Sequence, residues 1–249
     1  MHRRPALRRH RLAPHPAGVQ PAGPRAAALN RFLLRALQVA AAAVCSSVLA
    51  VLLLRWLPPP TTAFMLEADI RPVHQRWVDW VRISPAAKLA VVASEDQKFP
   101  DHWGFDFEAI DKAYSHNLKH RRVHGASTIS QQTAKNLFLW SGRSYFRKAL
   151  EAYFTLLLEA LWPKHRILEM YLNIARFGPD VYGVEEAAQR YFGKPAARLD
   201  MREAALLAAV LPSPERMHVG KPSAYVEERA MDIEEQMRQL GPDYLDDMK

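Results

Sequence analysis

The sequence predicts a mainly α-helical protein behind one N-terminal transmembrane helix. Three observations predict it. A run of 19 uncharged residues, Ala36–Leu54, follows an Arg-rich start. Beyond it, capping residues followed by apolar positions at helical spacing recur to the C-terminus. Strand signals, meaning period-two alternation between turn residues, are sparse.

The charge divides the chain. Of 34 Lys+Arg and 26 Asp+Glu residues, eight Arg and no Lys or acid lie within residues 1–54, so residues 55–249 are balanced. The net charge of +8 therefore describes a tail. That argues against a nucleic-acid reader, which carries its basic surface on the folded domain. The single Cys45 excludes an intrachain disulfide and any CxxC site.

Residues 1–31 read as a disordered basic cytoplasmic tail, too poor in bulky apolar side chains to fold. Residues 32–57 read as the anchor. At ~1.5 Å per residue, the uncharged run with Phe32–Leu34 before it comes close to the ~30 Å hydrocarbon core. The flanking Arg residues place the N-terminus in the cytoplasm and residues 55–249 outside. A cleaved signal peptide would have a shorter apolar region and a small-residue cleavage site. Here Arg55-Trp56-Leu57-Pro58-Pro59-Pro60 follows, which suits an interfacial anchor and a stiff spacer over 58–79. A lipoprotein needs a small residue before its Cys, where Val44 stands.

The helices follow in order. Ser84-Pro85 opens a segment through Ser94, with a capping Ser before Pro at the first helical position. Asp106 caps a helix with Phe107, Ile110 and Tyr114 on one face. Thr128-Ile129-Ser130-Gln131 fits a capping box. Ser144 starts a long apolar helix that Pro163 stops. Ile167, Leu168, Tyr171 and Leu172 form a core stripe, with Gly178 as the helix stop before Pro179. Asp200-Met201-Arg202-Glu203 is an acidic capping box before a run that Pro212 ends. Val226, Ala230, Ile233, Met237 and Leu240 mark a docked amphipathic helix over 217–249, closed by Gly241-Pro242.

There is no GxGxxG, Walker A, HExxH, GxSxG or SxxK, which removes dinucleotide, P-loop, zincin and common serine-nucleophile chemistry. What remains is acidic, amide and basic side chains in three clusters. Glu95 to Asp106 crowds four acids, His102 and three aromatics into twelve residues. Glu95 follows an apolar helix, and a partly desolvated carboxylate there is a better proton acceptor. The plainer reading is a helix end and a capped loop. Gly125 to Asn136 gathers hydroxyls and amides at a helix start, where free N–H groups receive an anion. Gln131 and Lys135, four apart, share a face; a polar N-terminus with a solvated Lys is the plainer reading. Arg143 to Glu151 sets Arg147 and Lys148 within a turn of Glu151 on a helix whose other faces are apolar. That stripe is an internal salt bridge or the wall of an active site.

Taken together, Glu95-Asp96-x-x-Phe99-x-x-His102-x-Gly104-x-Asp106, Gly125-x-Ser127-Thr128-Ile129-x-Gln131-Gln132-x-x-Lys135-Asn136, Arg147-Lys148-x-x-Glu151 and Ile167-Leu168-Glu169-x-Tyr171-Leu172-Asn173 resemble the ordered motifs of the peptidoglycan glycosyltransferases, glycosyltransferase family 51. The resemblance covers about residues 80–216, taken as the catalytic core. With only some 35 residues after Pro214, it is to the form without a fused transpeptidase domain. Ala126 departs from it, where many members have a second Gly.

The resemblance implies a lysozyme-like bilobal glycosyltransferase domain that polymerises lipid II into glycan strands and releases undecaprenyl diphosphate. It implies Glu95 as the general base on the acceptor 4-hydroxyl and Glu151 as the second acid, at the donor diphosphate. Lys135, Arg143, Arg147 and Lys148 match basic positions around that diphosphate. Ser127, Gln131 and Asn136 match polar positions lining the cleft. Lys98, Phe99, His102, Thr128 and Gln132 complete the substrate-binding set. No cofactor is required by the sequence, and a divalent cation, Mg²⁺ or Mn²⁺, is admitted between Glu151 and the diphosphate. The expected partners are lipid II, the growing lipid-linked strand and the bacterial inner membrane, with cell-division or elongation proteins admitted and nucleic acid not. The catalytic domain is expected in the periplasm. Residues 115–123, with Lys119, His120, Arg121 and Arg122, are a candidate contact with lipid headgroups. Two rivals stand: a lytic muramidase, for which a cation cluster would have no leaving group to serve, and a non-catalytic membrane-anchored scaffold.

Overall fold

The computed structural model describes residues 24–119, 125–142 and 144–248. Residues 1–23 of the expected tail, residues 120–123 of the basic segment and Arg143 lie outside the described residues. The chain divides into two compact units, Met1–Ser47 and Val48–Lys249.

Helix α1, Pro24–Leu54, contains a 25-residue stretch, Asn30–Leu54, long and apolar enough to cross a membrane. Within the first unit its Phe32, Leu33, Leu37, Val39 and Val44 are exposed, as suits a helix solvated by lipid. The helix begins before the expected boundary: Pro24–Arg31 is helical, not an unfolded tail. Pro24 supplies the pre-set φ of a first helical position, and the Ala residues that follow are the best helix formers.

The second unit begins inside the last turns of α1. Val51 is fully buried. The Trp162 indole donates to the Val51 carbonyl at 2.8 Å, and the Arg166 guanidinium donates to the carbonyls of Leu54 (2.8 Å) and Leu57 (3.0 Å). The Val51 carbonyl also accepts from the Arg55 amide at 3.2 Å, whereas Leu54 ends the helix and Leu57 lies beyond it, so side-chain donors complete their carbonyls. A short helix α2, Ala63–Leu66, is capped by Thr62.

The expected caps all form. Ser84 accepts from the Ala87 amide at the start of α3, Pro85–Glu95. Asp106 accepts from Ala109 at the start of α4, Phe107–Lys119. Thr128 and Gln131 close a reciprocal capping box on α5, Ile129–Phe138. Ser144 caps α6, Tyr145–Leu161, and Pro163 separates it from α7, Lys164–Ile174. After α8, Val184–Phe192, Asp200 and Glu203 form the second capping box on α9, Met201–Val210. Helix α10, Ala224–Leu240, buries Val226, Ala230, Ile233 and Met237.

Among the described residues the only sheet is a parallel pair, β1 His74–Gln75 with β2 Val181–Tyr182. This pair explains why Gly178 is not the stop of α7. The chain leaves the helix at Ala175 so that Arg176 can bridge to Tyr182 and Phe177 can donate to the Val181 carbonyl. Gly178 lies in the turn between, where a Cβ would sit 2.2 Å from the Tyr191 hydroxyl.

Two packings position the site. Helix α9 packs against α3 and α10, and α5 packs against α6 and α7. They share one core that includes Val92, Ile129, Leu158, Leu168, Leu172 and Ala208.

Candidate active site

Glu95 is the last residue of α3, and the apolar turn before it, Val91–Ala93, is buried. The side chain is carried to the edge of the core, where it stays 12% exposed. Burial pushes its carboxyl above the ordinary range. Opposing this, the Gln132 amide donates to Oε2 at 2.8 Å, and the Arg229 guanidinium and Lys135 add favourable charge. Gln132 is itself held, since its Oε1 accepts from the Tyr171 hydroxyl at 3.1 Å. Tyr171 is buried on α7, and burial, with the charges of Glu95 and Asp96, drives its phenol well above the ordinary value.

The next residue, Asp96, ties the loop after α3 to the start of α5. Its Oδ1 and Oδ2 lie 2.9 and 3.0 Å from His102 Nε2, and Oδ2 accepts from the Ile129 amide at 3.0 Å. Thr128 Oγ1 donates to the Gly104 carbonyl at 2.7 Å. Gly104 has φ +78°, and a Cβ there would lie 2.6 Å from Thr155 Cγ2, so only glycine fits. This corrects one expectation. The N-terminus of α5 is not open to an anion, because Asp96 already takes the Ile129 N–H and Thr128 takes the Gln131 N–H.

The same knot holds four of the expected binding residues. Phe99 is fully buried beneath the Lys164 ammonium, 4.6 Å from its ring centroid. His102 is locked onto Asp96. Thr128 and Gln131 are buried in the capping box, so Gln131 turns back from the face it shares with Lys135. Phe99, His102 and Gln131 build the site from behind, whereas Thr128 also lies in the wall of the recess that holds Glu95. Lys98 is exposed and paired with Glu108.

Helix α6 supplies the second acid. Glu151 is 3% exposed, with Arg147 at 2.6 Å on one oxygen and Lys148 on the other. Two turns on, buried Glu159 accepts from Ser130 Oγ and Lys164 Nζ. The inward face of α6 is therefore acidic. Its outward face carries Tyr145 (99% exposed), Phe146 (69%) and Leu156. The sequence expectation of apolar faces around the charged stripe holds in part: Leu158 is buried and Phe154, Leu157 and Leu161 pack on the core, while Tyr145, Phe146 and Leu156 stay uncovered. Arg147 Nε is buried without a partner among the described residues.

Lys135 joins the two acids. It is partly buried on α5, and burial lowers its pKa, with Arg147 and Lys148 adding to the effect and Glu151 and Glu95 opposing it. One recess of about 290 Å³ is lined by Gln132, Lys135, Asn136, Tyr171, Arg176 and Ser213 among others. A second, of about 340 Å³, has Glu95, Lys98, Gly125, Ser127 and Gln236 in its lining. Of the expected residues, the structure thus brings Glu95, Lys98, Ser127, Thr128, Gln132, Lys135 and Asn136 to recess walls, with Glu151, Arg147 and Lys148 in Lys135's electrostatic surroundings. The residues sequence reasoning missed are Tyr171, read as core, and Arg229 and Gln236, read as part of a docked helix.

A divalent cation between Glu151 and a diphosphate would have to displace a cationic side chain from Glu151. Both carboxylate oxygens are held by cationic side chains. Among the described residues no group of three or more His, Cys, Asp or Glu converges as a metal site.

Residues 63–238 match the transglycosylase family. The match reaches beyond the motif-bearing stretch at both ends and takes in α2 and most of α10. The chain is 52% identical over 221 residues to the biosynthetic peptidoglycan transglycosylase of Stutzerimonas stutzeri, covering 86% of this chain and 91% of that protein. It is 54% identical over 202 residues to that of Shewanella oneidensis, covering 79% and 87%. It is 51% identical over 236 residues to that of Xanthomonas oryzae pv. oryzae, covering 91% and 95%.

Proposed function

The chain belongs to the transglycosylase family, and on that premise we propose that it is a peptidoglycan glycosyltransferase that polymerises lipid II into glycan strands and releases undecaprenyl diphosphate. The observation that carries the reading is Lys135, a partly buried cation within the fields of two carboxylates, Glu95 and Glu151, that sit on different helices with different partners. Two acids in unlike environments can divide the work of one reaction.

In this reading Glu95 accepts the proton of the acceptor sugar's 4-hydroxyl as that oxygen attacks the donor's anomeric carbon. The bond to the diphosphate breaks, and its electron pair leaves with the lipid diphosphate. A buried carboxyl whose pKa is raised is suited to hold that proton. Charge that grows on the leaving group is met by Lys135, Arg147 and Lys148, fixed before the reaction begins. Glu151 keeps Arg147 and Lys148 together at the donor side, and no step runs through a metal. Arg143, a basic position by resemblance, belongs to the same set. The α1 helix keeps the enzyme at the surface where its lipid-linked substrate lies, as a single-pass anchor in the bacterial inner membrane with the catalytic unit in the periplasm.

The test is conversion of lipid II to polymer by the purified full chain with no other enzyme present. Finished sacculi left intact under the same conditions exclude the muramidase reading. Lipid II left unchanged overturns the proposal.

A further inference from the structure

Glu95 is gripped from two sides by residues that lie outside its own motif. On one side, the Tyr171 hydroxyl donates to Gln132 Oε1 (3.1 Å), and Gln132 Nε2 donates to Glu95 Oε2 (2.8 Å). The second amide hydrogen points toward the Ser127 carbonyl at 3.4 Å. An amide reversed in this place would set its oxygen against the carboxylate and lose both bonds. The carboxylate and the Ser127 carbonyl, which only accept, therefore fix which end of Gln132 meets Glu95, and the buried phenol donates to the other end and holds the amide in place. On the other side, Arg229 Nη2 lies 4.0 Å from Glu95 Oε1, too long for a hydrogen bond and close enough for ionic attraction. Arg229 is aimed by its own anchor, since its Nε donates to the Ala209 carbonyl at 3.2 Å, in the last turn of α9. Helix α9 packs against both α3, which ends in Glu95, and α10, which carries Arg229.

We infer that Tyr171 with Gln132, and Arg229 from the C-terminal helix, are positioning residues that orient the Glu95 carboxylate and hold it in its anionic form. The inference deepens the proposed function and rests on Glu95 as the base. The other charged groups near this carboxylate are accounted for. Asp96, from its own segment, is turned onto His102 and the Ile129 amide, and Lys135 approaches from α5. A donor on one oxygen and a cation near the other oppose burial, which alone favours the protonated acid. A base that must be ionised before it can take a proton needs this opposition at neutral pH. It also makes α10 part of the catalytic apparatus, because the arginine reaches Glu95 only when α10 is docked on α9.

The experiment titrates Glu95 directly, in the full chain in detergent micelles, by carboxyl ¹³C resonance of labelled Glu, with Glu95→Gln identifying the signal. Arg229→Gln and Tyr171→Phe each raise the titration midpoint, and Arg229→Lys restores most of it. The acid limb of kcat/KM on lipid II moves the same way, so activity below the limb falls by roughly three- to tenfold and recovers at higher pH, since one pKa unit is about tenfold in the ionised fraction. If Tyr171→Phe does not fold, Gln132→Leu replaces it. Midpoints unmoved in Arg229→Gln and in the Tyr171 or Gln132 variant overturn the inference, even if the rate drops uniformly at every pH. A wild-type chain that titrates as expected but leaves lipid II untouched overturns the function and not the holder.

Discussion

Helices α6 and α10 are both 17 residues long, and both begin with a serine cap. They are built inside out relative to each other. Helix α10 buries Val226, Ala230, Ile233 and Met237 and turns Glu235 and Arg238 to water. Helix α6 buries Glu151, Thr155 and Glu159 beside Leu158 and leaves Tyr145, Phe146 and Leu156 uncovered. Burying carboxylates costs stability unless each is paired, and every buried acid on α6 is paired with cations or a hydroxyl. A fold accepts that arrangement where the acids serve chemistry and where the medium outside the apolar face is not water. One helix is held by its hydrophobic stripe; the other buries a row of paired acids.

The largest effect comes from breaking the acidic side. Glu95→Gln should fold and lose on the order of 10²–10⁴-fold in lipid II polymerisation, the usual contribution of a positioned acid–base group. Glu151→Gln should lose activity while releasing Arg147 and Lys148. Turnover within a few-fold of wild type at equal folded protein, measured by circular dichroism, would remove the acid concerned from the mechanism. On α10 the effect should fall on stability instead. Met237→Ala is expected to cost about 2–5 kcal/mol, as for a buried Met truncated to Ala, with activity per folded molecule largely kept. Denaturant unfolding in detergent checks it, and a lost activity with unchanged stability would contradict the division between the helices.

A smaller effect sharpens the same contrast through pH. A carboxyl whose folded pKa is raised still binds its proton where the unfolded chain has released it, so the native state loses stability as pH rises. The cost of burying Glu95 is absent below the ordinary value of 4.5 and complete once the pH exceeds the folded value. Glu95→Gln should therefore raise Tm at neutral pH and lose that advantage near pH 4, as thermal melts at both pH values will show. An equal shift at both would mean that ionisation is not the cause. The smallest effects belong to the outer faces. With Cys45→Ser as background, nitroxides placed by Phe146→Cys and Arg238→Cys should each change stability by less than about 0.5 kcal/mol. In vesicles the label at 146 should be reached by oxygen and the label at 238 by a water-soluble nickel chelate. Equal access to the chelate would mean that the exposed aromatics of α6 meet water.

The sequence makes local features legible and leaves assembled ones obscure. Both capping boxes and the simple caps can be read in it, because a cap is decided within four residues. The apolar stripe of α10 is legible for the same reason. The order of the motifs alone points to Glu95, Lys135 and Glu151. Gly178 misleads, because the end of α7 is set by a bridge to Tyr182 and not by the nearest glycine. Phe99, His102 and Gln131 carry the motif yet face inward, since a motif marks which residues matter and not which way they point. Arg229 leaves no local signal at all. Its role exists only because α9 brings α10 beside the end of α3, and the surrounding sequence, Glu227-Glu228-Arg229, reads as an ordinary charged surface.

The collar around the end of α1 has a practical consequence. Val51, Leu54 and Leu57 give their carbonyls to Trp162 and Arg166, so the last turns of the apolar helix are also the first stones of the enzyme. Shortening the protein at the visible junction, after Arg55, strips acceptors from two donors, and each buried group left unpaired costs about 1–3 kcal/mol. The Val51 side chain would leave the core with them. A well-behaved shortened enzyme must start before Val48, within the oily stretch itself, and will carry some of that oiliness into any preparation. Purification without detergent is thus opposed by the architecture, since the residues that dissolve in lipid and those that seat the catalytic unit are partly the same.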